Sequence, residues 1–122
     1  MNITPTNLDF VSLQVQDLQA SSLFYTHTLG FEVGQSPNPV AVVFRDAAGA
    51  IFAVRKPLID LSTTPRLGVG VGLWFAVTDV QAAYQQATQT DATILQELSD
   101  SPFGRMFVLS DPDSYSITVH QS

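Results

Sequence analysis

Few residues in this chain can move a proton, hold a metal or attack a carbonyl. Cysteine is absent, which removes disulfides, thiolate metal sites and cysteine nucleophiles together. His27 and His120 are the only imidazoles. His27 lies between Thr26 and Thr28 in a segment of helical spacing, where a surface position accounts for it. His120 falls near the end of an alternating segment with no carboxylate beside it in sequence, which makes a weak case for acid-base catalysis. Asp111 and Asp113 have the look of a catalytic pair, yet Asp-Pro-Asp-Ser between two strand-like segments is ordinary turn chemistry. No Gly-x-Ser-x-Gly elbow is present. The glycine-rich GVGVG at 68–72 lacks a following Gly-Lys-Ser/Thr and leads into a strand, not a helix N-terminus, so it reads as linker and not as a phosphate loop. What remains is recognition chemistry, centred on the sole tryptophan, Trp74.

Composition narrows the partners. At 122 residues the chain is one domain, since either half alone would bury too little core. Charged residues make up 13%, against about 25% in an average soluble protein. The net charge of −6 and the lack of any basic run argue against nucleic acid. They favour a cationic small molecule reaching the surface. MNITPTNLDF lacks the basic and apolar regions of a signal peptide, and no apolar run reaches membrane-spanning length. The expectation is a cytoplasmic protein with no membrane partner.

The elements that must position these residues come in two copies. VQDLQA at 15–20 returns as VTDVQA at 77–82. FVSLQV, 10–15, alternates as a strand with Val11, Leu13 and Val15 on one face. Asp17 suits an N-cap, and Leu18, Ser22, Tyr25 and Leu29 follow at helical spacing until Gly30. FEV, VAVVF and IFAVR then read as three strands. In the second half LWFAV precedes Asp79 and a helix carrying Val80, Ala83, Tyr84 and Ala87, after which ILQEL, RMFVLS and YSITVH are strands. Word, element order and late turn agree together, which chance rarely provides. The spacing predicts an α+β domain over 1–122 built of two βαβββ modules, about 8–56 and 71–122, joined by a linker at about 57–70.

Two such modules, the segment VQDLQASSLFYTHTLGFEV and the late PFGRMFVLSDPDSYSITV resemble the vicinal oxygen chelate superfamily. That group includes glyoxalase I, extradiol dioxygenases, fosfomycin-resistance enzymes and the bleomycin-resistance binding proteins. The resemblance covers nearly the whole chain. It implies curled mixed sheets enclosing a cavity, with two metal ligands supplied by each module. Those four positions fall on Phe10, Ala53, Gly72 and Thr118, none of them a good ligand for a divalent cation. The metal-dependent chemistry of the superfamily is therefore expected to be absent, and no cofactor is expected.

Period-two alternation then gives the residues that share a face with those positions. Ser12 and Gln14 accompany Phe10, Ile51 and Arg55 accompany Ala53, Trp74 and Ala76 accompany Gly72, and Ser116 and His120 accompany Thr118. The opposite face carries Val11, Leu13, Val15, Phe52, Val54, Leu73, Phe75, Val77, Ile117 and Val119, which should pack on the helices. The candidate ligand contacts are Phe10, Ser12, Gln14, Arg55, Trp74, Thr118 and His120, joined by Phe103 and Arg105 from just before the last turn. The resemblance implies a binder of an aromatic or cationic compound, similar to the metal-free bleomycin-resistance proteins and acting as a homodimer. The alternative is a lyase, isomerase or dioxygenase-like enzyme with displaced ligands, or a metal-free catalyst using His120.

Overall fold

In both halves of the chain an aspartate decides where strand gives way to helix. The computed structural model describes residues 7–34, 38–47 and 49–122. β1 (Val11–Gln14) ends before Asp17, whose side chain accepts from the Ala20 backbone N–H at 3.1 Å and caps α1 (Leu18–Leu23). β5 (Gly72–Val77) ends before Asp79, which accepts from Ala82 N–H at 3.0 Å and caps α2 (Val80–Thr88). The repeated sequence words are thus two copies of one capping device.

Each module continues with three strands. They are β2 (Glu32–Val33), β3 (Ala41–Asp46) and β4 (Gly49–Arg55) in the first, and β6 (Thr93–Ser99), β7 (Met106–Ser110) and β8 (Ser116–Gln121) in the second. The two four-stranded sheets have matching orders, β1-β4-β3-β2 and β5-β8-β7-β6. The first and last strand of each module pair in parallel, and the other pairs are antiparallel. Neither sheet closes into a barrel. Among the described residues no helix is long and apolar enough to cross a membrane.

The inward faces follow the alternation. Leu13, Val15, Phe52, Val54, Ile117 and Val119 are buried, with Val11, Leu73, Phe75 and Val77 partly buried against them. The first helix departs from the regular spacing, because α1 runs into one π-helical turn at Phe24–Thr28 before Gly30 (φ 81°) ends it. The buried residues along this stretch are Ser21, Phe24, Tyr25 and Thr28, so the buried face runs through Ser21 and not through its neighbour Ser22, which the sequence spacing places there. Tyr25 packs edge-on against Phe52 at 5.0 Å, and Phe75 from the second module meets Phe31 at 4.8 Å and Phe52 at 5.3 Å. One aromatic core therefore spans both modules.

A polar clasp crosses the same boundary. The buried Asp111 carboxylate accepts from the Tyr25 hydroxyl at 2.7 Å and from the backbone N–H groups of Asp113 at 2.9 Å and Tyr115 at 2.8 Å. Asp113 accepts from Gln16 N–H at 3.0 Å, and the Tyr115 hydroxyl donates to the Gln14 carbonyl at 2.8 Å. The Asp-Pro-Asp turn is thus structural. The connection between modules is also packed: Leu61 is buried, and Gly68 (φ 70°) lies so close to the Tyr115 ring that a β-carbon there would collide with it.

Burial pushes the Asp111 and Asp113 carboxyls above their ordinary range, desolvation outweighing the hydrogen bonds that oppose it. A carboxyl raised by folding contributes stability that is complete below its unfolded pKa and is lost as pH rises through its folded value. Urea unfolding of wild type between about pH 4 and 7 should therefore show a component that declines towards neutral pH, and the slope should be smaller in D111N. Equal slopes would contradict the assignment. Tyr25→Phe, which strips one donor from the buried carboxylate, is expected to cost about 1.5–3 kcal/mol in the same measurement.

Candidate functional site

Strand pairing in the second sheet places Trp74, Thr118 and Val108 in one row across its outward face, and Ala76, His120 and Met106 in the next. Leu73 and Phe75, alternating with Trp74, turn into the core. Gly72 and Ala76 flank Trp74 on the same face and give it no cover, so the indole stands 48% exposed. Thr118 beneath is buried.

Phe103 reaches this face from the tip of the β6–β7 hairpin. The tip is fixed by reciprocal backbone bonds between Ser101 and Gly104 at 3.1 and 3.0 Å, and by the Ser101 hydroxyl, which donates to the Gly104 carbonyl and accepts from Phe103 N–H. Gly104 adopts φ 101°, a conformation that side-chain-bearing residues avoid. The Phe103 ring, 73% exposed, meets Trp74 edge-on at 5.8 Å, and the His120 ring lies 5.8 Å from Trp74 at a tilt of 60°. Trp74, Phe103 and His120 line an open recess of about 430 Å³. On its other side Trp74 borders a second recess of about 470 Å³ together with Phe31, Ile51 and Phe75. Both volumes fall in the range that holds a small organic ligand.

The polar groups here are few. His120 Nδ1 lies 3.2 Å from the Gln121 carbonyl oxygen. Arg105 Nε is 3.8 Å from an Asp100 carboxylate oxygen, too far for a hydrogen bond, and both side chains are exposed. A flat apolar molecule can stack here, and an edge substituent can hydrogen-bond. Nothing in this set is arranged as a nucleophile with its base.

The structure divides the nine sequence-derived candidates between the two sheets. Trp74, Phe103 and His120 come together, with Thr118 beneath them and Arg105 next to the hairpin tip. Ser12 and Gln14 instead line a groove of about 370 Å³ with Ile59, Arg66, Leu67 and Tyr115. There the Gln14 side-chain oxygen accepts from Leu58 N–H at 2.8 Å, which ties it to the connection. Arg55 lies beside Gln14 in the ladder, its Nε donating to the Lys56 carbonyl at 3.1 Å, and Phe10 stands ahead of β1. Sequence reasoning missed Arg66, Ile59 and Leu67, since a connection read as linker gives no periodicity to place them. It also missed Val108, which the alternation of RMFVLS could have placed beside Thr118.

The four positions where the resemblance implies metal ligands do not fit a divalent ion. Phe10, Ala53 and Gly72 have no donor side chain, and Thr118 brings one buried hydroxyl. Among the described residues no three His, Asp or Glu side chains converge.

Comparison with known proteins agrees with this architecture. The family model described as Glyoxalase/Bleomycin resistance protein/Dioxygenase superfamily matches residues 7–119. No curated protein matches the chain. Among solved structures, UcmS2 is 28% identical with a TM-score of 0.77, the match covering 98% of this chain and 100% of that one. A glyoxalase/bleomycin resistance protein from Albidiferax ferrireducens T118 is 25% identical, with TM-score 0.73 and coverages of 94% and 98%. TnmS3, an antibiotic binding protein from Streptomyces sp. CB03234, shares the fold at 23% identity, with TM-score 0.73 and coverages of 98% and 98%. With paired modules, matching strand orders and a family model spanning both, the chain belongs to the glyoxalase/bleomycin resistance protein/dioxygenase superfamily.

Proposed function

We propose that this protein is a non-enzymatic small-molecule binder that holds a planar aromatic compound against Trp74, Phe103 and His120 without a metal. The observation that carries the reading is the aromatic trio itself, with Trp74 and Phe103 exposed and His120 half-buried beside them. Two large rings, 48% and 73% exposed, stand on a rigid strand and a hydrogen-bonded hairpin tip, at a cost in solvation that a stacked ligand would offset. The donor-poor ligand positions support metal independence. That TnmS3 puts the same fold to antibiotic binding supports a drug-like ligand class. The net charge of −6 favours a cationic or neutral compound in the encounter, although Arg105 beside the hairpin opposes a strongly cationic one at the shelf.

A homodimer is part of the proposal. Leu8, Leu58, Ile59, Val69, Val71 and Leu95 are each more than half exposed, and pairing with a second copy would cover apolar side chains of this kind. Sedimentation equilibrium is expected to give twice the 13.2 kDa chain mass; a 13.2 kDa species alone would remove the dimer.

Trp74 is the only tryptophan, so its fluorescence reports on the shelf directly. Titration with planar aromatics and bleomycin-type drugs should give a saturable change that a chelator does not alter. A response seen only with added divalent metal would favour the enzyme reading instead. Phe103→Ala should weaken binding roughly five-fold, the worth of about 1 kcal/mol of aromatic contact. Its melting temperature should stay near that of wild type, because the ring is 73% exposed.

A further inference from the structure

We infer that His120 is a specificity-determining residue of the shelf, selecting flat aromatics that carry a hydroxyl donor over those that do not; this rests on the binding reading above. His120 Nδ1 lies 3.2 Å from the Gln121 carbonyl oxygen, and a carbonyl can only accept, so the bond is made when Nδ1 carries the proton. That carbonyl is held on both sides. The Gln121 N–H donates to the Arg105 carbonyl at 2.9 Å, and Ser122 N–H donates to the Val77 carbonyl at 2.9 Å. The Gln121 side chain is anchored as well, its oxygen accepting from Val80 N–H at 3.0 Å and its nitrogen donating to the Thr78 carbonyl at 2.7 Å.

In a neutral imidazole with Nδ1 protonated, Nε2 bears a lone pair. Among the described residues no protein donor meets it. The ring around it contacts Trp74 and lines the recess with Trp74 and Phe103, while its ladder neighbours are Ala76 and Met106. The charged groups near that end of the sheet are Arg105 and Asp100, 3.8 Å from each other. A ligand that covers the shelf therefore takes water away from Nε2. An aromatic hydroxyl replaces that water by donating to the nitrogen. A bare hydrocarbon leaves the lone pair unpaired, and an ether oxygen sets a second lone pair against it.

Two probes differing in that one hydrogen test the inference. Calorimetric titration of wild type and His120→Phe with 2-naphthol and 2-methoxynaphthalene gives a double-mutant cycle that cancels the difference in ligand hydration. Wild type is expected to prefer 2-naphthol by at least about five-fold more than H120F does, the scale of one hydrogen bond. If both probes bind and the ratio is the same in both proteins, the shelf stands and the specificity role is overturned. If neither probe binds wild type, the binding reading fails and takes this inference with it. A measurement on the unmutated protein covers the case in which H120F does not fold. Long-range proton–nitrogen NMR of the imidazole should show protonated Nδ1 in the free protein and a shift at Nε2 on adding 2-naphthol. A dominant Nε2-protonated tautomer would overturn the proposal.

Discussion

The carboxylate of Asp111 sits between the modules, out of water, with three donors on it: the Tyr25 hydroxyl from the first helix and two backbone N–H groups of its own turn. A buried charge costs several kcal/mol unless it is met this way, so the three donors are a condition of the fold and not an ornament. From that point the geometry propagates. The turn holds Asp113 on Gln16 and Tyr115 on Gln14, which fixes the end of β1. The same turn sets the start of β8, on which Thr118 and His120 lie. Around it the rings of Tyr25, Phe31, Phe52 and Phe75 interlock, so that neither sheet can shift without disturbing the other.

Much of this architecture is legible in the sequence because it rests on short-range rules. An aspartate that caps a helix must directly precede it, and a strand with one buried face must alternate. VQD and VTD therefore mark both strand-to-helix transitions, and Leu13, Val15, Ile117 and Val119 mark the core. The π turn was not legible, since nothing in Phe24–Thr28 forbids a regular helix. It contains Tyr25, whose hydroxyl meets Asp111, 86 residues away in the chain. The partner of Asp111 was hidden for the same reason: turn chemistry explains its backbone bonds but says nothing of a distant hydroxyl.

The site shows a similar split. Alternation correctly places Trp74, Thr118 and His120 on one face, because the β5–β8 ladder is regular. It cannot say that Ser12 and Gln14 look into a groove closed by the connection between modules, because that groove depends on how Ile59, Arg66 and Leu67 fold back. What emerges on the second sheet is a surface suited to recognition. Its two large rings, Trp74 and Phe103, are exposed, its hydrogen-bonding groups are few, and the positions where the resemblance implies metal ligands hold Phe10, Ala53, Gly72 and Thr118. Stacking energy accrues in the ground state, which is the kind of interaction the proposed binding role calls on.

The most direct test of the aromatic shelf is a map of where a ligand lands. Proton–nitrogen correlation spectra recorded in the presence of a chelator, with a planar aromatic titrated in, report each backbone amide and the Trp74 indole N–H separately. The account predicts that shifts concentrate on Trp74, Phe103, Gly104, Val108, Thr118 and His120. Shifts concentrated instead on Ser12, Gln14, Arg66 and Tyr115, or none until a divalent metal is added, would contradict it.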